Sequence, residues 1–223
     1  MNKKLVALAV AGLLAAPLAA QAQTANVTLY GRVNLDMEVV RGERSAAAGG
    51  GNPSTFRVSS NSSRLGVRGT ESLGGGLNAI FQIESNVSAD SGNSGTGLGN
   101  RETYVGLQGS WGTVKMGNFL APYDDIHPIF GNVPTLTTSI LSTAAVWSQG
   151  GQSKLNGGFD ARLANSVRYD SPNFGGFTGG IQYSAAEGAA PSLKANAGII
   201  SLGGFYNNGP IQIGAAYEQN NQI

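Results

Sequence analysis

Charged side chains recur at every second position in several segments of this sequence, and they are its main candidates for a functional site. In the first such segment Arg32, Asp36 and Glu38 all fall on even positions. Acid–base or nucleophilic catalysis would need a nucleophile held beside a base, and neither a G-x-S-x-G elbow nor a second histidine beside His127 is present. The sequence has no cysteine, which excludes thiolate zinc sites and iron–sulfur clusters. We therefore predict no catalytic residue, no metal site, no cofactor and no enzymatic activity.

The charged positions alternate with apolar ones, as in strands that have two different faces. From Val27 to Val39 the odd positions are mostly apolar and the even positions are mostly polar or charged. Ile80 breaks the pattern by falling on a polar face, whereas Leu163 is expected on an apolar face. Similar alternation recurs in residues 64–70, 77–85, 102–109, 114–116, 162–170, 177–183 and 211–218, and less clearly in 196–206. The sequence thus predicts nine strands, several near the 9–11 residues of a membrane barrel strand.

The predicted connections alternate between short and long. The short ones are rich in Gly, Asn and Pro, as tight turns require, and comprise residues 73–76, 110–112, 171–176 and 207–210. The longer ones comprise residues 40–55, 86–100, 118–160 and 185–195. Short turns at one end and long loops at the other are typical of outer-membrane barrels.

A sheet with one continuous apolar face must cover that face with a second sheet or with lipid. A soluble β-sandwich is the first alternative; in lipid, unpaired sheet edges are not tolerated, so the sheet must close. Aromatic residues near the short turns fit the girdle of a membrane barrel, namely Trp111, Tyr169, Phe174 and Phe177. We predict an all-β transmembrane antiparallel β-barrel, because the polar faces carry opposed charges and the apolar faces are not interrupted by charge.

The first 22 residues have the pattern of an export signal. Lys3 and Lys4 precede a short apolar run, and Ala20-Gln21-Ala22 offers a cleavage site. Without these two of its 14 basic residues the chain keeps 12, against 13 acidic ones, so no attraction to nucleic acid is expected. We predict a signal peptide over 1–22, cleavage near Ala22 and a barrel domain over 23–223.

Several motifs in order resemble those of Gram-negative general diffusion porins, in particular the β-proteobacterial branch (Burkholderia-, Bordetella- and Neisseria-like). They are Leu29-Tyr30-Gly31-Arg32, Ser63 to Glu71 (SRLGVRGTE), Tyr104-Val105-Gly106-Leu107, Gly112 to Gly117 (GTVKMG), Pro128 to Asn132 (PIFGN) and Asn165 to Pro172 (NSVRYDSP). The resemblance covers the whole mature chain. It implies a homotrimer of barrels of about 16 strands, multi-pass in the outer membrane, in contact with lipid and lipopolysaccharide.

The resemblance also implies a constriction of the pore. The third external loop folds inward in these proteins, and the connection 118–160 has the corresponding place. The basic wall would be Arg32, Arg64 and Arg162, which the alternation also puts on the polar face. The acidic side would be Asp125 with its neighbour Asp124.

Further polar-face residues are predicted to face the lumen: Asp36, Glu38, Arg68, Glu84, Lys115 and Arg168. We expect Arg68 and Arg168 to pair mainly with acids of the wall, such as Glu84 or Asp170. His127 is expected to be an ordinary loop residue.

The sequence departs from the family pattern at three places. Asn118 stands where a basic residue is usual, and Ile129 stands where enterobacterial relatives have an acid. Both changes lower the charge expected at the constriction. The chain ends at Ile223 without the terminal aromatic residue of the family, so we interpret it as the N-terminal part of a longer porin.

The predicted function is an outer-membrane general diffusion porin, a hydrated channel that selects ions and small hydrophilic solutes by diameter and wall charge. Two alternatives remain open. One is a substrate-selective outer-membrane channel, and the other is a non-conducting structural or adhesin-like barrel.

Overall fold

The computed structural model describes residues 26–41, 54–92, 97–126, 161–185 and 198–221. The predicted signal peptide, His127, Ile129 and most of the predicted constriction loop lie outside these ranges. The described strands are β1 (Asn26–Arg32), β2 (Leu35–Arg41), β3 (Ser54–Ser60), β4 (Arg64–Gly74), β5 (Leu77–Asn86), β6 (Thr103–Gly109), β7 (Gly112–Leu120), β8 (Arg162–Asp170), β9 (Phe177–Ala185), β10 (Gly198–Asn208) and β11 (Ile211–Asn220). A short 3₁₀ helix, Asp124–Ile126, follows β7. Within the described ranges no helix is long and apolar enough to cross a membrane.

Nine of the strands form one antiparallel sheet in the order β1-β4-β5-β6-β7-β8-β9-β10-β11, and β2 pairs with β3 in a second sheet. The pairing changes register by one residue between Arg32↔Arg64 and Leu35↔Ser60. Ser62, between β3 and β4, has a positive φ of 52°. We read β1 with β2, and β3 with β4, as two long strands interrupted by an irregularity.

The structure corrects three expectations drawn from the sequence. The expected single strand over residues 27–39 is interrupted at Val33 and Asn34, and Ser54–Ser60 forms a strand that alternation had not revealed. The connection expected from residue 118 begins later, because β7 continues to Leu120. Serines and threonine occupy four of the seven positions of β3, which obscures its alternation.

The two faces of the sheet differ as the alternation predicts. Apolar side chains of one face are exposed, for example Leu29 at 69%, Met37 at 77% and Val105 at 55%. Polar side chains of the opposite face are largely buried, including Glu84 and Arg168. This is the reverse of a soluble sheet with its apolar face inward, and it is typical of a sheet whose apolar face meets lipid.

Aromatic side chains gather at the end of the sheet that carries the short turns. Trp111 and Tyr169 stack with ring centroids 6.5 Å apart, and the Tyr169 hydroxyl donates to the Trp111 carbonyl at 2.8 Å. Phe177 contacts Tyr206 at 4.4 Å between centroids. Their clustering at this end fits an interfacial girdle.

The prediction that Leu163 lies on the exposed apolar face is wrong. Leu163 is fully buried against Ala121 and Ile199. The β7–β8 register shifts near Gly117, and Asn165 adopts a positive φ of 52°, so strict alternation ends at this bulge. The bulge turns Leu163 toward the segment that follows β7. Because of the same register shift, alternation could not predict on which face Arg162 lies.

Candidate functional site

Four guanidinium groups lie close together near the end of the sheet opposite the short turns. Arg32 and Arg64 are directly paired residues of β1 and β4. Arg101, just before β6, lies within electrostatic range of both Arg32 and Arg162. We call Arg32, Arg64, Arg101 and Arg162 the arginine cluster. It brings together the three arginines expected from the sequence and adds Arg101, which the sequence analysis missed.

Glu84 is the carboxylate around which half of this cluster is organised. The residue is 4% exposed. Arg101 Nε donates to it at 2.6 Å, Arg64 Nε lies 3.5 Å away, and the Tyr30 hydroxyl donates at 3.0 Å. A buried carboxylate needs this degree of pairing to remain charged. Glu84 therefore orients Arg64, Arg101 and the Tyr30 ring together.

Glu102 connects the other half of the cluster to the end of β7. Its carboxylate accepts from Arg162 Nε at 3.2 Å and from the Leu120 backbone N–H at 3.1 Å. Asn118, in place of the family's basic residue, donates from its amide to the Arg101 carbonyl at 2.8 Å. These contacts place Arg101 and Arg162 beside the end of β7.

Arg168 holds the segment Leu120–Ile126, which we call the loop root. It donates to the Leu120 carbonyl at 2.9 Å, to Asp170 at 2.7 Å, and also to Asp125. The expected pairing of Arg168 with Asp170 is thus present, and a second acid joins it. Charge-assisted bonds of this kind are about twice as strong as neutral ones. The loop root is consequently fixed against β8.

Asp125 is in a different setting from the one a free pore carboxylate would have. Burial raises the pKa of its carboxyl above the usual 3.8, and the Arg168 guanidinium acts in the opposite direction. Its partner Arg168 cancels much of its charge locally. Asp124, the adjacent acid of the loop root, lies within electrostatic range of Arg162.

The remaining residues expected on the polar face occupy it in different ways. Glu38 accepts from Arg57 at 2.6 Å, and Asp36 lies opposite Ser59 of β3. Lys115 lies 3.4 Å from Asp170 and over the rings of Tyr104 and Phe119. The described residues contain no group of three metal-ligating side chains.

Arg68 does not have the acidic partner that we expected. Its guanidinium carbon lies 5.2 Å from the centroid of the Tyr30 ring. Glu84 is occupied by Arg64 and Arg101, and Asp170 by Lys115 and Arg168. Within the part of the chain that the structure describes, Arg68 therefore rests on an aromatic ring instead of a carboxylate.

The residues that sequence reasoning missed lie where alternation gives no information. Arg101 precedes β6 at the end of a connection, so no strand period indicates its direction. Ser201 accepts from the Tyr123 N–H at 3.1 Å and is fully buried, although its polar character alone did not distinguish it from other strand serines.

Comparison with known proteins agrees with this geometry. The profile of the Gram-negative porins matches residues 7–223. Major outer membrane protein P.IB of Neisseria meningitidis serogroup B is 32% identical over 232 residues, covering 100% of this chain and 61% of that protein. Outer membrane porin protein 32 of Delftia acidovorans is 35% identical over 213 residues, covering 95% of this chain and 58% of that protein.

A solved structure is also similar. The anion-selective porin from Comamonas acidovorans superposes with a TM-score of 0.66 at 27% identity, covering 88% of this chain and 58% of that one. The chain thus spans about three fifths of the length of the relatives it matches. Together with a nine-stranded antiparallel sheet that exposes its apolar face, these matches show that the chain belongs to the Gram-negative porin family.

Proposed function

We propose that the protein is an outer-membrane channel through which ions and small hydrophilic solutes diffuse passively, with a preference for anions. The observation that carries this proposal is the arginine cluster on the face opposite the exposed apolar residues. A polar, charged face enclosed by a lipid-facing exterior provides a hydrated path across the membrane, and no bond chemistry is needed.

The preference for anions follows from the balance of charge around the cluster. Its four guanidinium groups have Glu84, Glu102 and Asp124 as neighbouring carboxylates. Positive charge therefore remains in excess, and Asp125 does little to offset it because Arg168 neutralises it. A charged ring at close quarters raises the local concentration of its counter-ion. The anion-selective porin from Comamonas acidovorans, which this chain resembles in fold, supports the same sign of selectivity.

In this proposal the arginine cluster forms one wall of the narrowest part of the pore. The loop root supports a constriction loop that continues through the residues up to 160. Asp124 and Asp125 belong to that loop, as expected from the family resemblance. Asp36, Glu38, Lys115 and Arg168 line the lumen, and ion pairs hold the last three side chains in place.

We also propose that the protein works as a homotrimer, with lipid and lipopolysaccharide covering the apolar faces that no neighbouring copy covers. The exposed apolar side chains of β1 and β2, from Leu29 to Val39, supply surface of this kind. Electrophoresis of the unheated protein tests the trimer: a band at three times the mass of the heated chain is expected, and a single-copy band would contradict it.

The channel itself is tested by planar-bilayer recording of the protein extracted from outer membranes. We expect stepwise conductance in potassium chloride and, under a salt gradient, a reversal potential of the sign set by chloride. Absence of steps would refute the channel. Steps with a reversal potential set by potassium would refute the anion preference alone.

A further inference from the structure

Among the described residues of the polar face, Arg68 differs from the other arginines and from Lys115. Those groups are held by carboxylates or backbone carbonyls, whereas Arg68 is exposed and stacked on Tyr30. The Tyr30 hydroxyl is bonded to Glu84, so the ring beneath Arg68 is fixed. A guanidinium has five N–H donors, and none of those of Arg68 is paired with a carboxylate in the described residues, so they are available for a ligand.

A cavity of about 300 Å³ lies beside Arg68. Its polar lining includes Thr28, Thr70 and Gln108. Its less polar lining includes Tyr104 and Ile80, the residue that departs from the polar pattern of its face.

A glycine is the partner of Ile80 on the neighbouring strand. Gly106 is paired directly with Ile80 across β5 and β6, so it adds no side chain to this part of the wall. A Cβ at Gly106 would lie 2.5 Å from the Val114 carbonyl oxygen, which excludes larger residues there. The cavity therefore combines an available cation, neutral hydrogen-bonding groups and a small apolar surface.

We propose that this cavity is a binding site within the pore for small organic carboxylates that have an apolar body. Arg68 binds the carboxylate through paired N–H groups, Gln108 and the threonines donate to or accept from its polar substituents, and Ile80 and Tyr104 contact the apolar part. The proposal rests on the proposed channel function. It adds a specific solute site on β4–β6 that is separate from the arginine cluster.

The chemistry favours this class over simple inorganic anions. Contacts with Ile80 or the Tyr104 ring add no binding free energy for chloride. An aromatic carboxylate is bound more tightly because it buries apolar surface there and also accepts charge-assisted hydrogen bonds from Arg68. A neutral aromatic molecule would bind only through its buried apolar surface, without the charge-assisted hydrogen bonds. Occupancy of the cavity should obstruct the pore, so binding appears as a saturable decrease in current.

The test is the block of potassium chloride current by sodium benzoate in planar bilayers. We expect saturable block of the unsubstituted channel by benzoate. Benzamide, which lacks the carboxylate, and acetate, which lacks the aromatic ring, should block much more weakly. Arg68→Gln should raise the half-blocking benzoate concentration by about tenfold or more, from the loss of a charged hydrogen bond. Ile80→Thr should raise it by about threefold.

Arg57→Gln is the matched control, because it removes the same charge from β3 at a residue outside the cavity. It should leave benzoate block unchanged. Equal block of the Arg68→Gln and unsubstituted channels would overturn the proposal, as would equal block by benzamide or by acetate. If Arg68→Gln does not assemble, the comparison of the three solutes on the unsubstituted channel still decides. Normal chloride conductance without benzoate block refutes this site alone, whereas absence of conductance refutes the channel function.

Discussion

At the scale of single residues, Glu84 is a buried acid that the proposed channel would use to limit the positive charge of its basic wall. It holds Arg101 and Arg64 and also offsets part of their charge. Glu84→Gln keeps the shape but removes one negative charge, so we expect a reversal potential shifted further toward chloride. Because charged hydrogen bonds are lost, we also expect the folded state to lose about 1.5–3 kcal/mol. Salt-gradient recordings measure the first effect, and the temperature at which the folded band disappears on gels measures the second.

Glu71→Gln provides the matched control for this substitution. Glu71 is an exposed residue near the turn end of β4 and undergoes the same change of charge. We expect neither its reversal potential nor its gel transition to change appreciably. Identical shifts in the two variants would mean that Glu84 acts only through the net charge of the protein, and the local role assigned to it would be wrong.

In the proposed channel, Asp125 should produce a pH dependence whose sign follows from the surroundings of its carboxyl group. Burial raises its pKa above 3.8, so as the pH falls Asp125 gains a proton earlier than an ordinary aspartate does. Protonation removes a negative charge and leaves Arg168 compensated by Asp170 alone. We therefore expect the preference for anions to increase as the pH is lowered from neutral, at a higher pH than an ordinary aspartate would allow.

Reversal potentials recorded from neutral to acidic pH check this dependence. Asp125→Asn should show the increased anion preference already at neutral pH and lose most of the further change on acidification. Asp90→Asn, at an exposed position outside the strands, should behave like the unsubstituted channel. An Asp125→Asn channel with unchanged selectivity at every pH would show that this carboxylate does not act on the permeating ions.

At the scale of secondary-structure elements, the bulge at Asn165 turns Leu163 from the lipid-facing side to the packed side of β8. The backbone φ of Asn165 is +52°, a conformation that suits Gly and is tolerated by Asn but is costly for β-branched residues. Asn165→Val should therefore destabilise the protein by about 1–2 kcal/mol, while Asn165→Gly should be close to neutral. Thermal conversion of the folded band, measured for both variants, checks the difference; equal losses would show that the backbone conformation is not the cause.

Alternation of side chains predicted the nine segments of the main sheet, most of their faces, and the grouping of the short turns at one end. It failed where the period itself is interrupted, at Asn165 and between Arg32 and Leu35. A bulge depends on local backbone geometry and on the partner strand, and neither is visible in a period-two pattern. Ser54–Ser60 was missed for another reason, because serines and a threonine occupy four of its seven positions and obscure the alternation.

The candidate site was only partly predictable for a similar reason. Charge and alternation indicate which residues share a face, and Arg32 and Arg64, expected on one face, are paired directly on β1 and β4. The choice of ion-pair partners depends on distances between strands and on the loop root, which a single sequence does not provide. Arg68 was therefore expected beside an acid but stacks on Tyr30, and Arg101 was overlooked because it lies in a connection.

At the scale of the whole molecule, the arrangement reverses that of a soluble protein. Apolar side chains such as Ile83 and Val105 are exposed, and charged groups are held in networks on the other face. Contact of the exposed apolar face with lipid is energetically favourable. The charged face is stable in a membrane only if water reaches it. The fold and the proposed channel thus depend on the same asymmetry between faces.

Two neighbouring residues of β5 test that asymmetry directly. Ile83 is 46% exposed on the apolar face, while Gln82 faces the other way, paired with Tyr104 and Arg68. Ile83→Arg should cost up to about 2–4 kcal/mol if it lies near the middle of the membrane, whereas Gln82→Arg places its charge in the hydrated pore. We expect a strongly reduced folded fraction in outer membranes for the first variant and near-normal assembly for the second, measured by gel mobility without heating. Equal assembly of the two would contradict a lipid-facing position for Ile83, and with it the orientation of the whole sheet.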